Sequence, residues 1–283
     1  MTRTQQHGLR ARIAVGASAA AVAATIWGVT ALVTPGDAPA PRPGHAAGRT
    51  GTDGPQGGSG PGAGRPGAGP QAQPAALPDS IAHASEAGGN AVNITIDDGP
   101  DPRWTPQVLA VLARHDVKAV FCMIGPQAKA HPDLVKKVVA AGHRLCDHTM
   151  AHDTAMDKKP VAYQEAQILD AKKLIEEAAG GGAKVEYYRA PGGAFTPDSR
   201  RVAAAHGMRP LGWNVDTKDF HKPGTAAITD AVKREIGNGP TVLFHDGGGD
   251  RRQTVAALDQ VLSWLEEQGR PTGFPVRTAP DPS

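Results

Sequence analysis

Five short clusters of polar residues lie between Thr95 and Asp246, and their side chains are those that metal-assisted hydrolysis uses. Thr95-Ile96-Asp97-Asp98-Gly99-Pro100 sets two adjacent carboxylates before a tight turn, and on its own it reads as a turn. His148-Thr149-Met150-Ala151-His152 spaces two histidines at i and i+4. If the segment is helical, their imidazoles share one face and can converge on one metal ion. A zincin helix carries glutamate at the second position of this motif. Thr149 stands there, so any general base must come from elsewhere.

Arg189-Ala190-Pro191-Gly192-Gly193 offers a guanidinium able to orient a carboxylate through paired hydrogen bonds. Its glycines would let a backbone amide approach a substrate. Trp213-Asn214-Val215-Asp216-Thr217-Lys218-Asp219-Phe220 adds two acids, Asp216 a candidate turn residue and Asp219 a candidate solvated charge. Leu243-Phe244-His245-Asp246 ends in a histidine which, taken singly, is a structural residue after an apolar strand.

The elements that must position these groups follow from the periodicity. Short apolar runs at Val92–Ile96, Ala119–Ile124, His143–Cys146, Val185–Arg189, Pro210–Val215 and Thr241–Phe244 read as strands alternating with amphipathic helices, the pattern of a parallel sheet with crossover helices. Thr105-Pro106 and Thr196-Pro197 each supply a capping hydroxyl before a proline at the first helical position. Leu134, Val135, Val138 and Val139 form one helical face, stopped by Gly142, and Val255, Leu258, Leu262 and Leu265 form another ahead of Gly269. Six or seven such units are too few for an eightfold barrel, which leaves a smaller or distorted barrel, with an open doubly wound sheet as the alternative. Each cluster lies at the C-terminal end of a strand, where loops of such barrels converge on active sites. Independent turns and surface charges would not line up in this way.

Ahead of this domain, residues 1–33 carry Arg3, Arg10 and Arg12 before an uncharged run of 21 residues, Ile13 to Val33. That length spans a bilayer, and the preceding arginines favour a cytoplasmic N-terminus, so a signal-anchor, or else a cleaved signal peptide, is expected to export the rest. Residues 34–89, rich in Gly, Pro and Ala, read as a disordered linker, with the folded domain at 90–275 and a tail at 276–283. With 30 basic against 28 acidic residues and no basic block beyond the N-terminus, nucleic acid is not an expected partner. Cys122 and Cys146 match no zinc-ligand spacing, and a disulfide or two buried thiols are both open to them.

In order and spacing, the five clusters resemble the polysaccharide deacetylase family, also called carbohydrate esterase family 4 or the NodB-homology domain, from about Val92 to Gly269. The resemblance implies an α/β fold, a distorted partial (β/α) barrel of about seven parallel strands. It implies Asp97 as general base held by Arg189, and Asp98, His148 and His152 as ligands of a divalent metal, zinc first, with cobalt or nickel as alternatives. It further implies His245 as general acid paired with Asp219, and Leu243 lining a pocket for the acetyl methyl group. Two positions depart from the family: Gly192 stands where tyrosine is usual, and Phe220 where tryptophan is common. A backbone oxyanion donor at Gly192 survives that change, whereas groove shape does not. The expected activity is removal of N-acetyl groups from an amino-sugar polymer, peptidoglycan first and chitin-like oligosaccharide second, by an extracytoplasmic monomer. O-deacetylation of xylan on the same site, and an inactive glycan-binding module, are the rival readings.

Overall fold

The computed structural model describes residues 77–280. The expected membrane segment, most of the expected linker and the last three residues lie outside them. Among the described residues no helix is long and apolar enough to cross a membrane. The strands are β1 (Val92–Asp97), β2 (Val120–Met123), β3 (Arg144–Asp147), β4 (Val185–Tyr188), β5 (Arg209–Pro210), β6 (Val215–Asp216), β7 (Thr241–His245) and β8 (Thr272–Gly273). All pair in parallel, in the order β5-β4-β3-β2-β1-β7-β6 with β8 beside β1. The seven strands of the main path form a half-barrel, the distorted partial barrel expected, and the two-residue β8 is added beside β1.

Strand alternation divides the sheet into two faces. Val92, Ile94, Ile96, Phe121, Met123, Val242 and Phe244 face the helices and build the main core. The helices are α1 (Thr105–Arg114), α2 (Gly125–Ala130), α3 (Pro132–Ala140), α4 (Val161–Ala179), α5 (Pro197–Ala205), α6 (Thr225–Glu235) and α7 (Arg252–Glu267). Of these, α1, α3 and α7 cover the core with buried faces such as Leu134, Val135 and Val138, or Leu258, Leu262 and Leu265. The opposite face of β1 and β7 is polar, with Asn93, Thr95 and Asp97 in register with Thr241, Leu243 and His245. Asn93 Nδ2 donates to Thr241 Oγ1 at 2.9 Å and Thr95 Oγ1 to the Val242 carbonyl at 2.8 Å, so polar groups of this face tie β1 to β7 below the site.

Several expectations are corrected here. The run Pro210–Val215 is not one strand. β5 and β6 lie on opposite edges of the sheet, and Leu211 to Asn214 cross between them. The carbonyls of Leu211 and Gly212 leave the sheet because Arg189 takes them, through Nε at 3.2 Å and Nη2 at 2.8 Å. Thr105 is not an N-cap. It is the first residue of α1, and the Asp101 carboxylate instead accepts the N–H groups of Arg103 and Trp104, whereas Thr196 caps its helix in a capping box with Ser199. Cys122 and Cys146 sit opposite one another on β2 and β3 and form a disulfide.

Residues 77–89 are part of the folded domain rather than linker. Ala82 is fully buried, donates to the Pro210 carbonyl and accepts from Gly212 N–H, while Ser85 bridges to Pro275. Together with Val276, which the tail was expected to contain, Ala82 packs on Val120, Cys122, Cys146, Tyr187 and Leu211 to fill the inner face. Small alanines suit so narrow an interior, and for the same reason the composition there resembles a linker. A chain begun at Ala91 is therefore expected to melt roughly 10 °C or more below one begun at Leu77, on the scale of about 2–4 °C per kcal/mol for a domain of this size. Equal melting temperatures would show the segment to be dispensable.

Candidate active site

At the C-terminal ends of the strands a cavity of about 460 Å³ is lined by residues from all five clusters, among them Asp97, Asp98, His148, His152, Gly192, Phe220, Leu243 and His245. Asp97 and His245 are register partners on the adjacent strands β1 and β7, which sets them on either side of the same mouth.

Asp98, His148 and His152 converge. Their candidate ligand atoms all lie within 4.8 Å of one another, with Asp98 Oδ1 3.5 Å from His148 Nε2 and 3.2 Å from His152 Nε2. The helical route expected for the two histidines is not taken. Residues 148–152 form a loop in which Thr149 and His152 adopt left-handed φ values of 69° and 50°. Thr149 N–H donates to Asp147 Oδ1 at 2.7 Å, and Thr149 Oγ1 accepts the His152 N–H at 3.2 Å, so side chains hold a conformation unfavourable for a β-branched residue.

This donor set fits a divalent cation. His148 Nδ1 donates to the Arg189 carbonyl at 2.8 Å, which directs the Nε2 lone pair toward Asp98. Burial lowers the His148 pKa, overriding the carboxylates nearby, and so favours the neutral imidazole that ligation needs. Burial alone would raise Asp98, but the contact with His152 and the nearby imidazoles hold it below the usual carboxylate range. The same Asp98 contact raises His152. Asp98 Oδ1, though buried, has no well-formed hydrogen bond among the described residues. One carboxylate and two imidazoles are a common zinc set that leaves coordination positions open.

Beside it, the fully buried Arg189 donates from Nη1 to Asp97 Oδ1 at 2.7 Å and to Thr95 Oγ1 at 2.9 Å. The paired fork expected for this arginine is absent, because its remaining donors serve the Leu211 and Gly212 carbonyls. Asp97 Oδ2 is left facing His148 Nε2 at 3.6 Å. Across the mouth, His245 Nδ1 donates to Asp219 Oδ1 at 2.6 Å. Asp219 Oδ2 accepts the His245 N–H and the Thr254 hydroxyl, each at 2.9 Å. Asp219 is thus fully buried, not solvated. Burial would lower His245, but the hydrogen bond to Asp219 and that carboxylate's charge push it up to about 9. Burial would raise Asp219, and the same bond and the charge of His245 depress it.

Leu243 lies two residues before His245 on the inner face, and Phe220 packs edge-on to the His245 ring at 5.3 Å. Gly192 lines the cavity with a left-handed φ of 60°, beside the Thr154 side chain, from which a Cβ at this position would lie only 3.2 Å. Sequence reasoning missed Thr95 and Thr254. Thr95 was recoverable, since i and i+2 on a strand share a face with Asp97. Thr254 comes from α7 and carries no local signal.

Residues 84–211 match the family described as polysaccharide deacetylase. The chitooligosaccharide deacetylase of Sinorhizobium fredii is 38% identical over 208 residues, which span 69% of this chain and 93% of that protein. The peptidoglycan-N-acetylglucosamine deacetylase of Bacillus cereus is 39% identical over 180 residues, 63% and 83% of the two chains. Among solved structures, a pseudoenzyme of the CE4 family from Bacillus anthracis superposes with a TM-score of 0.64 at 27% identity, covering 70% of this chain and 68% of that one.

Proposed function

The chain belongs to the polysaccharide deacetylase family, and we propose that it hydrolyses the N-acetyl groups of peptidoglycan strands, using zinc, with chitin-like oligosaccharides as second substrate. The observation that carries this reading is the cavity between two supported proton-transfer groups, Asp97 with Arg189 and His245 with Asp219, beside the Asp98, His148 and His152 cluster.

Asp98, His148 and His152 would hold the zinc ion, which when bound would supply Lewis acidity toward an amide carbonyl and a water molecule. Asp97, oriented by its hydrogen bond from Arg189, takes the proton of the attacking water. The Gly192 amide stabilises the oxyanion that attack creates, a kind of contact whose loss costs about 10²–10³ in rate. His245 carries its proton on the nitrogen opposite the Asp219 contact and delivers it to the departing amine nitrogen. Acetate and a free amino sugar leave. Leu243 borders the space for the acetyl methyl group, and Phe220 and Trp213 offer apolar faces for sugar rings at the rim.

Export is part of the proposal. The Cys122–Cys146 disulfide suits an oxidising compartment, and the uncharged run Ile13 to Val33 suits an anchor that sets a monomeric domain near the cell wall. The structural likeness to a pseudoenzyme favours, as a second reading, glycan binding without turnover.

Liberated acetate decides among these. Protein supplied with zinc is expected to release acetate from peptidoglycan and from N-acetylglucosamine oligomers, and chelation abolishes the release. Release from acetylxylan alone would reassign the protein as an O-deacetylase. Binding with no acetate from any polymer would establish the inactive module.

A further inference from the structure

The loop after β7 holds two buried charged residues, Asp246 and Arg251, that the proposed reaction leaves unused. Successive residues along a strand face opposite sides. Asp246 therefore turns away from the cavity that His245 faces and reaches under the turn that follows β1. There Thr105 Oγ1 donates to Asp246 Oδ2 at 2.5 Å and accepts the Asp101 N–H at 2.8 Å. The Asp246 N–H donates to the Asp97 carbonyl at 3.0 Å.

The packing is close enough to dictate residue type on both sides. A Cβ at Gly99 would lie 2.2 Å from Asp246 Oδ1, and one at Gly247 would lie 2.3 Å from the Asp98 carbonyl oxygen. Arg251 braces the far side, donating from Nε to the Gly247 carbonyl at 2.6 Å and from Nη2 to that of Gly248 at 3.2 Å. Between these contacts Asp98 is held at a left-handed φ of 77°. An L-residue persists in such a conformation only where its surroundings over-determine it.

We propose that Asp246 and Thr105 are positioning residues that clamp the Asp97-Asp98-Gly99 turn and so set the Asp98 carboxylate for its cation. The inference rests on the reading of Asp98 as a ligand. Neither residue touches substrate or cation, and their effect passes through the backbone of the turn. Supporting groups behind metal ligands typically contribute about 10–100-fold to affinity.

Zinc affinity of the full chain, measured by competition with a chromophoric chelator, tests the clamp independently of turnover. Asp246→Ala and Thr105→Val are each expected to bind zinc at least about tenfold more weakly. Asp246→Asn, which can still pair with the Thr105 hydroxyl, is expected to recover most of that loss. A merely structural role would lower the melting temperature of the metal-free protein and leave the affinity unmoved. Wild-type affinity, within twofold, in Asp246→Ala and Thr105→Val overturns the proposal. Thr105→Val decides alone should Asp246→Ala not fold. Asp98→Asn, run alongside, keeps wild-type affinity only if the ligand assignment is itself wrong, in which case both readings fall.

Discussion

Asp97→Asn is expected to release acetate about 10³-fold more slowly than the wild type, within the range that general-base catalysis supplies, while binding zinc with unchanged affinity. Asparagine preserves the acceptor for Arg189 Nη1 but cannot take a proton from water. The loss should fall on kcat, with KM moving little, because Asp97 acts on the attacking water rather than on the sugar. The substitution also leaves the buried Arg189 guanidinium without its counter-charge. A buried charge stripped of its partner costs about 3–5 kcal/mol, so the melting temperature should fall as well. The activity of the remaining folded protein must therefore be compared below its transition. Retention of more than a tenth of wild-type kcat would remove Asp97 from the proton-transfer step. A matching loss of zinc affinity would make it a ligand instead.

The second large effect belongs to His245 and its partner. The raised pKa keeps the imidazole in its acid form up to about pH 9, and activity should decline as pH rises through the folded value. The positive charge of a bound cation opposes protonation and draws that alkaline limb lower. For stability the sign is the same. A folded pKa above the ordinary 6.5 gives a contribution fully present below pH 6.5 and lost as pH climbs toward about 9.

Asp219→Asn removes the charge that overrides burial, so the imidazole becomes neutral near pH 7. Activity there should fall about 10²-fold, with the optimum displaced toward acid. His245→Ala should lose activity at every pH and abolish the limb. A profile in Asp219→Asn that keeps the wild-type limb would exclude His245 as the acid.

Among the elements, those legible in the sequence were set by local pattern. β1 shows why: Val92, Ile94 and Ile96 alternate with Asn93, Thr95 and Asp97, and that alternation specifies both a strand and which groups share the cavity face. The polar clusters at strand ends were visible because parallel sheets put reactive loops at one end. Residues 77–89 were misread because composition registers how much a segment could bury, not whether a narrow interior elsewhere in the chain will take small alanines. The single strand expected at Pro210–Val215 divides because Arg189 claims the carbonyls of Leu211 and Gly212, a competition between residues over twenty positions apart.

For the site, residue identities lay in the sequence: Asp97, Asp98, His148, His152, Arg189, Asp219 and His245 were all named from motif order and resemblance. The tertiary structure decided how they meet. His148 and His152 converge through a left-handed Thr149 held by the Asp147 carboxylate, not through helical spacing. Asp219 is buried because β7 and α7 bring the His245 amide and the Thr254 hydroxyl to it, and its imidazole partner is thereby charged at neutral pH. The physical reason is the same throughout. Backbone periodicity and side-chain chemistry act over a few residues and can be read along the chain, whereas burial, counter-charge and hydrogen-bond competition depend on partners that only folding brings within reach.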